Sequence, residues 1–188
     1  MANWFVALPV DPGAWFEAKV TGTPRGVRLF APGDLHVTVA FLGPVDEAAA
    51  ARGWEALTWS AGAIDATLGA VVGMGSPRRP SAYSALFDRG RPELEAAIAA
   101  GRDAVYAAAG ARPDERPVKA HLTLARPGRS ASAADRAAGL RWAEGLSLAG
   151  TPVRLDRAAL FTWSEERSHG LFRIVADCSL DAGAGRSG

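Results

Sequence analysis

The chain is poor in the features that mark several common classes of protein. It holds one cysteine among 188 residues, so no internal disulfide can form. That residue, Cys178, falls in an apolar strand-like run, where a buried inert thiol is expected. Charge is nearly balanced at +1, which neither demands nor excludes a polyanionic partner. A protein that coats nucleic acid usually carries a basic excess, whereas an enzyme touching only a strand end need not. No apolar stretch is long enough to span a bilayer. The opening "MANWFVALPVD" has no basic n-region and is broken by Pro9 and Asp11, so no secretory signal is expected and the cytoplasm is the expected location. A Walker-type glycine loop is missing, so an ATP or GTP role is not signalled. Neither a cysteine cluster nor a close carboxylate pair is present to complete a zinc site, and no metal or cofactor is expected.

What the chain does have is apolar residues, at 48%, enough for a sizeable core. The length suits one domain, expected over residues 1–180, with "DAGAGRSG" at 181–188 as a disordered tail. Residues 3–10 read as a strand, and Asp11 and Pro12 as the cap and first turn of a short helix. "DLHVTVAFLG" reads as a strand over 34–42, with His36, Thr38 and Ala40 on one face and Val37, Val39 and Phe41 on the other. Asp46 caps a helix expected to reach about residue 60. Residues 64–74 look extended, "GMGSPRRP" reads as a turn with a basic tip, and "SAYSALFD" as the returning strand. Pro92 opens a long Ala-rich helix that Gly110 closes. "VKAHLTLARPG" is the next strand, followed by a helix from about Ser132 to Glu144. "VRLDRAALFTW" reads as one strand, "SEERSHG" as a loop, and "LFRIVADCSL" as the last strand.

Two of these segments repeat. "HVTVAFLG" at 36 and "HLTLARPG" at 121 share His, Thr, Ala and Gly in register, and each is followed by a helix and two strands. Two of the three histidines carry Thr two residues on; chance gives that well under about 1% of the time. The repeat predicts an α+β fold of two pseudo-symmetric lobes, each an antiparallel sheet with helices on its outer face, the two His-x-Thr strands lining a central cleft. One imidazole can act as a base and the other as an acid near neutral pH. Each Thr lies about 7 Å further along the same face and offers a hydroxyl. In-line displacement at phosphorus fits these groups, and Arg126, five residues after His121, can fork onto phosphate oxygens.

On "WFVALPV", "DLHVTVAFLG", "VVGMGSPRRPSAYSAL", "VKAHLTLAR" and "LFTWSEERSHGLFRIV", the chain resembles the two-histidine phosphoesterase superfamily over about residues 3 to 180. Within it the chain is similar to the bacterial RNA 2′,3′-cyclic phosphodiesterases, the LigT-like or 2′-5′ RNA ligase family. The resemblance implies hydrolysis of a terminal RNA 2′,3′-cyclic phosphate to a 2′-phosphate, with a weak ATP-independent reverse reaction that forms 2′-5′ links. It implies His36 as proton donor to the leaving 3′-oxygen and His121 as proton acceptor from water, with Thr38 and Thr123 beside them. Two departures stand out. Ala120 precedes the second His where the family often has Pro, and Phe172 stands where it often has Tyr.

Tyr83 is a looser match to the family's middle-strand aromatic and, with Arg78 and Arg79 at the basic tip, is a candidate for substrate binding beside Arg126. Arg167 adds to that basic rim. His169 reads as a solvated loop histidine, Phe41 as core, Trp163 as core or a base platform, and Trp54, Trp59 and Trp142 as core. The expected partner is an RNA 3′ end bearing the cyclic phosphate, met by a monomer. A small cyclic nucleotide, an ADP-ribose cyclic phosphate or a 2′-5′ oligonucleotide would suit the same site, because specificity lives in rim loops. A non-catalytic RNA-binding module is the alternative of another class; the two intact motifs argue against it.

Overall fold

The computed structural model describes residues 2–77, 79–166 and 170–181. Arg78, Arg167, His169 and most of the expected tail lie outside the described residues. The chain runs β1 (Trp4–Pro9), α1 (Gly13–Lys19), β2 (Val27–Leu29), a 3₁₀ turn at Pro32–Asp34, β3 (His36–Gly43), α2 (Glu47–Glu55), β4 (Ile64–Ser76), β5 (Arg79–Phe87), α3 (Arg91–Ala109), β6 (His121–Pro127), α4 (Ala133–Glu144), β7 (Pro152–Leu155), β8 (Arg157–Trp163) and β9 (Phe172–Ser179). Among the described residues no helix is long and apolar enough to cross a membrane.

Local chemistry sets the helix starts and stops. Asp46 accepts the Ala49 N–H at 2.7 Å and opens α2. Ser132 and Asp135 form a reciprocal capping box on α4. Gly110 ends α3 in the left-handed region, at φ 61°. Asp11 takes the Gly13 N–H at 2.9 Å, so it serves α1 from one residue before the capping position, which Pro12 occupies.

Two antiparallel sheets form, in the orders β3-β1-β8-β9 and β2-β6-β5-β4-β7. Set β2 aside and they correspond strand for strand: an HxT strand (β3 or β6), the strand that precedes it through a helix (β1 or β5), then a pair borrowed from elsewhere in the chain. The two lobes are as expected, but the repeating unit begins one strand earlier, as strand, helix, HxT strand, helix. The strands after the first unit join the second sheet, and β8 and β9 return to the first. "VRLDRAALFTW" is two strands rather than one, because the chain changes sheets at Asp156: Leu155 pairs with Ile64, whereas Arg157 pairs with Ser179. The short β2, unforeseen in the loop region, pairs with the end of β6. Helix α2 stops at Glu55, earlier than its apolar pattern suggested.

Most of the buried side chains form one core, with Leu8, Val37, Leu68, Phe87, Leu94, Leu122 and Leu155 nearly inaccessible to solvent. Trp54 is buried, while Trp59 and Trp142 are half-buried and donate their indole N–H groups to the carbonyls of Gly62 and Thr21. Cys178 is half-buried on the outermost strand β9 rather than sealed in the core.

Candidate active site

Each HxT strand carries a β-bulge at the same place. On β3, Thr38 pairs with Ala7 and Ala40 with Val6, leaving Val39 as the extra residue. On β6, Thr123 pairs with Ser84 and Ala125 with Tyr83, leaving Leu124 as the extra residue. Without a bulge, residues at +5 would face away from the histidines. The extra residue reverses the alternation, so Phe41 and Arg126 return to the faces of His36 and His121. The second bulge is held from outside, since the Phe30 N–H donates to the Leu124 carbonyl at 2.8 Å.

This corrects the reading of Phe41, which is 53% exposed rather than core. It corrects Tyr83 as well. That side chain is fully buried beneath α4, its hydroxyl donating to the Arg136 carbonyl at 3.0 Å and its ring lying against Trp142. Tyr83 sits on the face opposite Ser84 and is a core residue, not a substrate contact. Arg79 opens β5 at the hairpin tip, pairing with Ser76. It lies seven residues from Leu86, the partner of His121, which is about 20 Å along the strand.

The two imidazoles are held alike. Nδ1–H of His36 donates to the Asp34 carbonyl at 2.7 Å, and Nδ1–H of His121 donates to the Lys119 carbonyl at 2.7 Å. A carbonyl only accepts, so each bond fixes the proton on Nδ1 and leaves Nε2 as the nitrogen for chemistry.

Their surroundings differ. His36 sits in an aromatic box, with ring centroids of Phe5, Phe161 and Phe172 at 4.8, 5.4 and 5.5 Å. Among the described residues no ring contacts His121. Desolvation by this box pushes the His36 pKa down to about 4; the Asp34 hydrogen bond opposes the shift, while the nearby charges of Arg126 and His121 add to it. Strands β3 and β6 are in contact, and the charges of Arg126 and His121 lie within electrostatic reach of His36.

The threonines differ too. Thr123 is buried, and its hydroxyl shares a hydrogen bond of 3.1 Å with the wholly buried Ser84. Thr38 faces Ala7, and among the described residues its hydroxyl has no protein partner. Arg126 is open to solvent, its Cζ 5.5 Å from the centroid of Phe30. Surrounding protein and the charge of Arg28 lower its pKa, and it remains a cation.

Sequence reasoning missed several of these groups. Asp34, two residues before His36, is buried, and its carboxylate accepts the N–H groups of Leu171 (2.8 Å) and Phe172 (3.1 Å). Phe5 and Phe161 stack at 5.0 Å under His36, and Trp163 continues that floor 5.1 Å from Phe172. Alternation with Ala7 and Ala159 was the available signal for the two stacked rings. Ser84 and Arg28 carried none, because only strand register brings them to Thr123 and Arg126.

A concavity of about 760 Å³ lies elsewhere, between the start of α1 and the β7–β8 junction, and none of these groups lines it. Its arginines are already paired, Arg154 with Asp65, Asp156 and Asp181, and Arg157 with Asp177. The histidine strands instead offer two imidazoles, hydroxyls and a guanidinium, groups that suit an anion that gives and takes protons. Among the described residues no group of three or more His, Cys, Asp or Glu side chains could hold a metal ion.

No family model and no curated protein matches the chain. Solved structures do. TT0787 of Thermus thermophilus is 21% identical, with 95% of this chain and 97% of that one aligned at a TM-score of 0.67. E. coli LigT complexed with 3′-AMP is 18% identical over 95% and 98% of the two chains, at 0.63. Usb1 of Kluyveromyces marxianus is 11% identical over 95% and 97%, at 0.53. Nearly the whole chain is covered each time, and the chain has the two-lobed α+β fold of E. coli LigT.

Proposed function

We propose that the chain is a two-histidine phosphoesterase that hydrolyses terminal RNA 2′,3′-cyclic phosphates to 2′-phosphates. The observation that carries this reading is the matched pair of imidazoles, each with Nδ1 tied to the carbonyl two residues back, in one neighbourhood with Arg126. The fold shared with LigT, a protein crystallised with 3′-AMP and with phosphate, supports a phosphate site in the cleft.

In this mechanism His121 Nε2 takes a proton from water as the water oxygen attacks phosphorus. The bond from phosphorus to the 3′-oxygen breaks, and His36 Nε2–H gives that oxygen its proton. Arg126 and the two threonine hydroxyls hold the non-bridging oxygens, where charge builds. The scheme calls on no metal. Before substrate binds, His36 is neutral at neutral pH, so it takes up its proton with the substrate. An anion between the histidines replaces repulsion from Arg126 and His121 with attraction.

Hydrolysis of a short RNA ending in a 2′,3′-cyclic phosphate, assayed in EDTA, tests the reading. His36→Ala and His121→Ala should each lower the rate at least about a hundredfold. Near-native rates in either variant, or a strict metal requirement, would overturn it.

A further inference from the structure

We propose that Arg28, beside Arg126, forms a second phosphate subsite, which takes the phosphate on the 5′ side of the terminal nucleoside. This rests on the cyclic phosphodiesterase reading and names the substrate feature that the site selects.

The argument begins with register. Arg28 on β2 is the direct cross-strand partner of Arg126 on β6. Such partners share a face, with Cα atoms about 4.5–5.5 Å apart. The bulge at Leu124 turns Arg126 to the His121 face, so Arg28 lies on that face too, one strand further out. Strand β2 is only three residues long and covers only the Arg126 end of β6, leaving the His121 end uncovered by it. The two guanidiniums therefore form a short cationic track that leads away from the reacting centre.

Like charges directly opposite one another destabilise a sheet. Two other exposed arginines of the sheets are neutralised, Arg154 by three carboxylates and Arg157 by Asp177. Among the described residues neither Arg28 nor Arg126 has an ion-pair partner. The repulsion is felt, because the Arg28 charge lowers the pKa of Arg126. A phosphate at each guanidinium relieves it. Arg126 is held against Phe30 within electrostatic reach of His36 and is committed to the cyclic phosphate. Arg28 is then left for the next phosphate, which is an internucleotide diester in RNA and a 5′-phosphate in a single nucleotide. Arginine suits this role because its planar fork meets two phosphate oxygens at once.

The test compares kcat/KM on three substrates with the same terminal adenosine 2′,3′-cyclic phosphate: the bare nucleoside, its 5′-phosphorylated form, and the dinucleotide ApA. In Arg28→Gln the dinucleotide-to-nucleoside ratio should fall about tenfold, through KM, and Arg28→Lys should restore part of it. A parallel fall for the 5′-phosphorylated nucleoside would mean that the subsite reads any 5′-side phosphate, and its absence that it reads the diester alone. An unchanged ratio overturns the proposal. Thermal melting of Arg28→Gln should match or exceed wild type, because a repulsion has been removed. Calorimetric binding of ApA and adenosine 2′-phosphates to wild type and variant reads the same ratio without turnover. If wild type hydrolyses none of the cyclic phosphates, the hydrolytic reading falls while the binding ratio still decides the role of Arg28.

Discussion

Asp34 and His36 are joined through the backbone, the Asp34 carbonyl receiving the imidazole Nδ1–H at 2.7 Å. The carboxylate of the same Asp34 receives the Phe172 N–H, and the Phe172 ring lies 5.5 Å from that imidazole. One buried aspartate thus fixes the tautomer of His36 and the position of a wall beside it.

Replacing Asp34 should therefore cost both stability and rate. Asp34→Ala leaves the buried N–H of Leu171 and the half-buried N–H of Phe172 without acceptors, a loss of about 1–3 kcal/mol or more in chemical denaturation. Asp34→Asn keeps one acceptor oxygen and should lose less. Both variants should show a lowered kcat, as the Phe172 ring shifts against His36. Wild-type stability in Asp34→Ala would show that the carboxylate does not hold β9.

Acid should destabilise the protein through His36. The unfolded imidazole takes its proton near pH 6.5, whereas the folded one waits until about pH 4. Between those values the unfolded state binds more protons, so stability falls as pH drops through the window, by up to ~3 kcal/mol from this group. Melting curves from pH 7 to pH 4 should show the slope, and His36→Gln should flatten it. Saturating phosphate should raise the His36 pKa, read from its imidazole NMR signals. A pKa that stays near 4 with phosphate bound would make His36 the proton acceptor and pass the donor role to His121.

Ser84 should matter to Thr123 alone. Ser84→Ala removes the 3.1 Å partner of a buried hydroxyl and should cost ~1 kcal/mol or more of stability. Its loss of rate should stay well below the hundredfold expected for His121→Ala. A rate as low as that of the histidine variant would place Ser84 among the groups that touch substrate.

The sequence was legible where its periodicity ran unbroken. His36 with Thr38, and His121 with Thr123, stand two apart before each bulge, so simple alternation kept each pair on one face. Past Val39 and Leu124 alternation misleads. It put Phe41 in the core and left the facing of Arg126 unexplained, because the signal for a bulge lies in the partner strand's register. Tyr83 was misplaced for the same reason, since only its pairing with Ala125 shows that it faces α4. The break at Asp156 has no glycine or proline beside it, and the change of sheet there depends on which edges stand open in three dimensions. Helix α3 and the capped starts of α2 and α4 were readable because their capping chemistry is local.

The most direct test of the central claim is the identity of the product. The protein is incubated in EDTA with a short RNA ending in a 2′,3′-cyclic phosphate, and the product is resolved against 2′- and 3′-phosphate standards. The account predicts a 2′-phosphate, released by protonation of the 3′-oxygen from one histidine while the other activates water. A 3′-phosphate, or no turnover by folded protein, would contradict it.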